Sequence, residues 1–166
     1  MNNKININNF EDIFCNGIDD ALYYMELPSG VYKYMTKSSQ SIYGYTPQEF
    51  YDIPFLIKKI IHPDYIDYFN DKWEKLLNGK MDSYYEYKII TKDHKVKWIN
   101  QRNSLEKDED GNILGIKGII TDITYIKSVE DNLAKSRHRF EEISLKSDDW
   151  IWEVDNKEIY NYVRER

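Results

Sequence analysis

Two polar side chains, Asn100 and Arg102, stand at alternate positions of a segment that is otherwise rich in apolar and aromatic residues. An amide and a guanidinium together can orient a small polar or anionic ligand through charge-assisted hydrogen bonds. In the alternative, Arg102 pairs with Asp122 or with backbone carbonyls at the end of a sheet, because a buried polar group needs a partner. The first interpretation predicts a ligand pocket and the second a structural contact.

The histidines and the cysteine do not suggest a catalytic or metal-binding set. His62 stands directly before Pro63, His94 falls in a predicted turn, and His138 falls in a predicted helix. No two of these histidines have the spacing of zinc ligands, and no Ser-His-Asp or Cys-His arrangement is suggested by spacing. Cys15 is the only cysteine, which excludes an intrachain disulfide. We therefore predict no catalytic residue and no metal ligand.

The polar pair belongs to a predicted unit of three strands. Alternation of apolar and polar residues predicts strands at 85–89, 96–100 and 113–123, with turns at Asp93-His94 and Asp110-Gly111. With the lysines facing solvent, one sheet face would hold Tyr85, Tyr87, Ile89, Val96, Trp98, Asn100, Arg102, Ile116, Gly118 and Ile120. From this face we predict the ligand-binding residues Tyr87, Trp98, Asn100, Arg102 and Ile120.

The preceding part of the chain supplies two more strands and several short helices. Two aromatic-rich strands at 21–27 and 31–36 are joined by Pro28-Ser29-Gly30. Short helices are predicted at 39–43, from Thr46 with a capping box, and at 63–78. The fold class is therefore α+β: a five-stranded antiparallel sheet with helices on one face, followed by a long C-terminal helix.

From Ile126 the apolar period changes from two to about three and a half. The predicted stripe comprises Ile126, Val129, Leu133, Ser136, Phe140 and Ile143. A single helix would expose this stripe, so we predict a parallel homodimer through it, with Thr124 as N-cap. The alternative is that the helix packs back on its own domain.

The end of the chain echoes its beginning. Phe140-Glu141-Glu142-Ile143 resembles Phe10-Glu11-Asp12-Ile13, and Tyr160-Asn161-Tyr162-Val163 resembles Tyr32-Lys33-Tyr34-Met35. We therefore divide the chain into an N-terminal amphipathic helix (1–18), a central α+β domain (19–124), a connecting coiled-coil helix (125–146) and the truncated start of a second copy (147–166). A second copy that stops there cannot close a core, so we expect the chain to be part of a longer protein.

Charge and hydropathy exclude some partners. The net charge is -6, the pI is about 5.1 and no basic run occurs, which argues against nucleic acid because phosphate contacts need clustered cations. No apolar run is long enough to span a membrane, and residues after Met1 lack a signal peptide's apolar core. These features predict a cytoplasmic location without membrane contact by this fragment.

Several motifs in order resemble the PAS domain family, over nearly the whole chain. They are Gly44-Tyr45-Thr46-Pro47-Gln48-Glu49-Phe50, His62-Pro63-Asp64, Lys97-Trp98-Ile99, and the closing PAC-type motif of Gly118 with Asp122-Ile123-Thr124. The pattern departs from the family at two positions. His94 stands where the family often has a glycine with positive φ, and Asn103 also stands where the family often has a glycine.

The resemblance implies an intracellular sensory module of a multidomain signalling protein, in particular a sensor histidine kinase of a two-component phosphorelay. It implies that a small ligand or partner shifts the sheet and that Asp122, Ile123 and Thr124 relay the change into the helix. The alternative function is a ligand-free module that dimerises or spaces its neighbours.

The family's haem and flavin sites argue against both cofactors here, because His62 begins a helix and Cys15 lies in the N-terminal helix. The cofactor is therefore left unknown, and the enzymatic status of the parent protein is left open.

Overall fold

The computed structural model describes residues 17–80, 84–146, 151–154 and 160–164. Cys15 and nearly all of the predicted N-terminal helix lie outside the described residues. The chain divides into two compact units, Met1–Thr124 and Tyr125–Arg166, which are described separately.

The first unit is built on a five-stranded antiparallel sheet. Its strands are β1 (Ala21–Glu26), β2 (Tyr32–Met35), β3 (Tyr85–Ile90), β4 (Val96–Lys107) and β5 (Ile113–Asp122). Their spatial order is β2-β1-β5-β4-β3, so the first strand pairs with the last. This sheet, with helices over one face, confirms the predicted fold class.

Four short helices and a 3₁₀ turn lie between β2 and β3. They are α1 (Ser39–Tyr43), α2 (Pro47–Asp52), α3 (Leu56–Lys59), the 3₁₀ turn (Pro63–Tyr65) and α4 (Ile66–Leu77). The predicted capping box at α2 is present: Glu49 donates its backbone N–H to the Thr46 hydroxyl, and its carboxylate accepts from Thr46 N–H. The Nδ1 atom of His62 accepts from Asp64 N–H, as expected of a residue that begins a helix.

The core lies between these helices and one face of the sheet. Alternate residues of β1 and β3 are buried, and on β5 Ile116 and Ile120 are buried. Phe50 and Phe69 cover this face from α2 and α4, with edge contacts to the rings of Tyr32 and Tyr87. Burial of these aromatic rings supplies much of the stabilisation of the first unit.

The β3–β4 hairpin differs from its prediction in loop length. Thr91 donates its N–H to the Lys95 carbonyl, and His94 donates to the Thr91 carbonyl, so the loop has three residues instead of two. His94 has φ 63°, the left-handed conformation that closes such a loop. Because the loop has an odd number of residues, Tyr87 pairs with Ile99 and not with a neighbour of Ile99.

This register corrects the predicted core face of β4. The residues of β4 that face the helices are Ile99, Gln101 and Asn103, whereas Trp98, Asn100 and Arg102 face the opposite side. A slip of one residue reverses every side chain of a strand, and the prediction made this slip by placing the lysines of β4 on the solvent side. Lys97 instead lies on the core side, where it contacts the Ser41 carbonyl and Asp122. The predictions for β3 and β5 are confirmed.

The second unit contains helix α5 (Thr124–Lys146) from Tyr125 onward and a pair of strands, β6 (Ile151–Val154) and β7 (Tyr160–Arg164), that run antiparallel. The assignment of this pair to a second copy of the domain stays a prediction. Of the helices within the described ranges, none combines the length and apolarity that crossing a membrane requires.

Candidate functional site

A hydrogen-bonded group of tyrosines and amides lies on the core face of the sheet. The Tyr87 hydroxyl donates to Gln101 Oε1, and Gln101 Nε2 donates to the Tyr23 hydroxyl at 2.7 Å. Tyr23 in turn donates to Asn103 Oδ1 at 2.6 Å, and Asn103 Nδ2 donates to the Tyr85 hydroxyl at 2.8 Å. Three strands contribute to this polar cluster, so a change in one member can alter the positions of β1, β3 and β4.

Gly118 makes room for this cluster on β5. A Cβ atom there would lie 2.4 Å from Asn103 Oδ1 and 2.7 Å from a ring carbon of Tyr23. Any larger residue would therefore displace Asn103 or Tyr23. This close approach gives a physical reason for glycine at position 118 and for the amide at position 103.

The tyrosines of the core face are neutral. Burial raises the pKa of the Tyr23, Tyr43 and Tyr87 phenols well above the ordinary value, and it also raises the pKa of Tyr32 and Tyr85. Tyr43 is fully buried on α1, and no hydrogen bond of regular geometry to its hydroxyl is found within the described part of the chain. The core face thus presents neutral donors and acceptors, and the Tyr43 hydroxyl lies close enough to the Tyr87 hydroxyl for each to affect the pKa of the other.

The structure separates the predicted ligand-binding residues into two groups. Tyr87 and Ile120 lie on the core face, with 0% and 3% of their surface exposed. Trp98, Asn100 and Arg102 lie on the outer face of β4, for the register reason given above. Asp122 forms an ion pair with Lys97 at 2.9 Å, which replaces the alternative in which Arg102 was its partner.

Sequence reasoning missed Gln101 and Asn103. Their alternation with Ile99 and Leu105 was visible, but Lys97 was placed on the solvent face, which assigned Gln101 and Asn103 to that face as well. Counting a three-residue loop with His94 in the left-handed conformation would have placed Gln101 opposite Tyr85, where the structure has it. The length of the loop was therefore the feature that could have identified the core face of β4. The side chains could not, because both faces of the strand carry polar residues.

A second set of contacts joins the end of β5 to α1 and β4. Lys97 Nζ donates to the Ser41 carbonyl at 2.8 Å and pairs with Asp122. Ile123 donates its N–H to the Trp98 carbonyl, and Trp98 donates its own to the Thr124 hydroxyl. The start of α5 is thus fixed to the middle strand and, through Lys97, to a helix above the core.

Asp122 caps the long helix. Its Oδ1 atom accepts from the N–H and the hydroxyl of Thr124, at 2.9 and 2.5 Å. The helix begins at Thr124, so the capping side chain is Asp122 and not Thr124 as predicted. Burial raises the pKa of the Asp122 carboxyl, but its bonds to Thr124 and Lys97 outweigh this effect and lower the pKa below its ordinary value.

These features define a class of protein: an antiparallel five-stranded sheet with short helices over one face, whose last strand leads directly into a long helix. The family model described as the PAS fold matches residues 32–120, more than half of the chain. The chain belongs to the PAS fold family.

Comparisons with individual proteins agree with this assignment. The chain is 29% identical over 102 residues to a methyl sulfide methyltransferase-associated sensor of Methanosarcina acetivorans. That match covers 61% of this chain but only 10% of the relative, so the chain spans about a tenth of the length of that protein.

Solved structures show the same fold. A sensory box histidine kinase/response regulator from Burkholderia thailandensis has a TM-score of 0.64 and 24% identity, over 79% of this chain and 97% of that chain. The N-terminal domain of a diguanylate cyclase with PAS/PAC sensor from Marinobacter aquaeolei has a TM-score of 0.58 and 15% identity, over 65% and 98%.

Proposed function

We propose that this chain is a sensory module that converts a change on its core face into a change in helix α5. The observation that carries the proposal is the position of Lys97, which contacts the Ser41 carbonyl of α1 and the Asp122 carboxylate at the start of α5. Tyr43, on the same short helix as Ser41, lies beside Tyr87 in the core. A shift of α1 would therefore reach Asp122, Ile123 and Thr124 through one side chain.

The core face is the ligand site in this proposal. Tyr87 and Ile120 retain their predicted role, and Gln101 and Asn103 take the place of the outward Asn100. Neutral phenols and amides suit a small neutral polar molecule, whose hydrogen bonds would replace those within the polar cluster. The buried Tyr43 hydroxyl supports this site because it lies beside Tyr87 and adds a further neutral polar group to the same face.

The output in this proposal is a change in a homodimer of α5, passed to a downstream domain of the same protein. Ile126, Val129 and Leu133 are exposed by 53%, 47% and 70%, and they follow the three-four spacing of a coiled coil. The relative from Methanosarcina is named a sensor and one structural neighbour is named a histidine kinase, which supports a sensor kinase as the parent protein.

A double-mutant cycle tests the relay. Gln101→Leu perturbs the core face, Lys97→Met removes the proposed connection, and hydrogen exchange of the first-turn amides of α5 reports the effect. We expect Gln101→Leu to change this exchange only while Lys97 is present, with a coupling of at least about 0.5 kcal/mol. Lys95→Met is the matched control, because Lys95 pairs with Asp93 at the hairpin tip. Additive effects in both cycles would refute the relay.

A ligand-free spacer or dimerisation module is the second candidate function. It is favoured by the polar cluster itself, since Tyr23, Tyr85, Tyr87, Gln101 and Asn103 already bond to one another. Native mass spectrometry of the purified protein distinguishes the two functions. A bound small molecule lost in Gln101→Leu supports the sensory site, whereas a bare protein mass supports the spacer.

A further inference from the structure

An open groove crosses the outer face of the sheet, on the side opposite the polar cluster. Its volume is about 570 Å³, within the roughly 300–1,000 Å³ typical of sites for small molecules. The side chains that form it come from four strands and belong to two neighbouring rows of cross-strand pairs. This groove is separate from the site proposed above, so it adds a second function to the module.

The first row comprises Tyr34 on β2, Tyr24 on β1, Lys117 on β5 and Ser104 on β4, which are consecutive partners in the sheet. The second row comprises Leu22, Ile119 and Arg102 on β1, β5 and β4. Both rows are apolar or aromatic toward β1 and β2 and polar or cationic toward β4. The groove therefore has two chemically distinct ends, separated by about 14 Å at the usual strand spacing.

The two cations of the groove differ in their partners. Lys117 pairs with Glu106 at 2.5 Å, which neutralises much of its charge. Arg102 is exposed, and among the described residues its guanidinium has no hydrogen bond or ion pair. A guanidinium beside an aromatic and aliphatic surface is suited to bind a planar carboxylate whose hydrophobic body lies on that surface.

We infer that this groove binds an aromatic monocarboxylate, with the carboxylate on Arg102 and the ring on Leu22, Tyr24 and Ile119. Charge and shape together favour this class: the free cation selects an anion, and the apolar rows require a hydrophobic body. A highly charged anion would leave the apolar end of the groove unused, and a neutral aromatic molecule would leave Arg102 without a partner.

The test compares naphthoate with its neutral amide, naphthamide, by isothermal titration and by amide chemical-shift mapping of the full chain. We expect naphthoate to shift the amides of Leu22, Tyr24 and Ile119. Arg102→Gln should weaken naphthoate binding about tenfold, because the charge-assisted bond is lost, and should leave the weaker binding of naphthamide unchanged within about twofold.

Lys107→Gln is the matched control, because it removes an exposed cation from the same strand outside the groove. The inference is overturned if Arg102→Gln and Lys107→Gln affect naphthoate equally, or if naphthoate does not bind saturably. Shifts at Ile99 and Tyr87 instead would place the compound in the core and also overturn it. Concentration-dependent shifts at the groove without any compound would show that a second copy of the chain covers it, which is again a contrary result.

Discussion

Gln101 is the residue that connects the two halves of the polar cluster. It accepts from Tyr87 and donates to Tyr23 inside a core where Gln101 itself is only 3% exposed. A buried amide in this position is stabilising only as long as both hydroxyls retain their partners.

We expect Gln101→Leu to lower the free energy of unfolding by about 1–3 kcal/mol, because the Tyr87 hydroxyl becomes a buried donor without an acceptor. Denaturant unfolding followed by circular dichroism measures the loss. Arg102→Gln, at the neighbouring exposed position, is the control and should change stability by no more than about 0.5 kcal/mol. Equal stability of the two variants would show that the cluster is not required for the fold.

Asp122 gives the fold a dependence on acidic pH. Its folded-state pKa is lowered, so its ionised form contributes stability above the ordinary pKa of about 4, and this contribution is lost as the pH falls through the folded value. Asp122→Asn keeps the oxygen that caps α5 but removes the charge that Lys97 contacts.

We therefore expect Asp122→Asn to lower stability by up to about 1 kcal/mol at neutral pH, with the difference from the wild type vanishing at an acidic pH below the folded-state pKa of Asp122. Urea unfolding at both pH values measures this. Asp52→Asn removes the same charge from an exposed carboxylate on α2 and serves as control. A difference that persisted at low pH would assign the effect to capping geometry instead of charge.

Among the helices and strands, α2 is the one whose start the local sequence marks most clearly. Thr46 and Glu49 form reciprocal hydrogen bonds at its start, and Glu49 also contacts Lys92 at 2.6 Å, in the β3–β4 loop. The capping box thus fixes both the helix and its position relative to the hairpin.

Thr46→Ala should lower the free energy of unfolding by about 1 kcal/mol because the Glu49 N–H loses its side-chain acceptor and the Glu49 carboxylate loses the Thr46 hydroxyl. Thr46→Ser retains the hydroxyl and should remain near the wild type. Thermal unfolding of the two variants in parallel measures the difference. Equal midpoints would mean that water replaces the cap without cost.

The elements show what the sequence could predict and what it could not. The Thr46 capping box and the aromatic hairpin of β1 and β2 were predictable because their signals are local. Helix α3 was missed because it has only four residues and follows Phe55, whose φ of 54° no sequence pattern announced. The polar cluster was missed because Lys97 was taken to face solvent, whereas it lies on the same face as Gln101 and pairs with Asp122.

For the whole molecule, the proposed output depends on the exposed apolar face of α5. We infer a second copy of the helix as its partner, because Ile126, Val129 and Leu133 are exposed and follow the three-four spacing of a coiled coil. The matched relative is about ten times longer than the aligned segment.

The dimer prediction concerns Leu133, which is 70% exposed at the centre of the apolar stripe. Leu133→Asp should convert a dimer into a monomer in sedimentation velocity, because two carboxylates would face each other in a desolvated seam. Ala134→Asp places the same charge one residue further on, outside the stripe, and should leave the dimer intact. A wild-type chain that sediments as a monomer at high concentration would contradict the dimer, and dissociation by both variants would show that overall charge, and not the stripe, controls association.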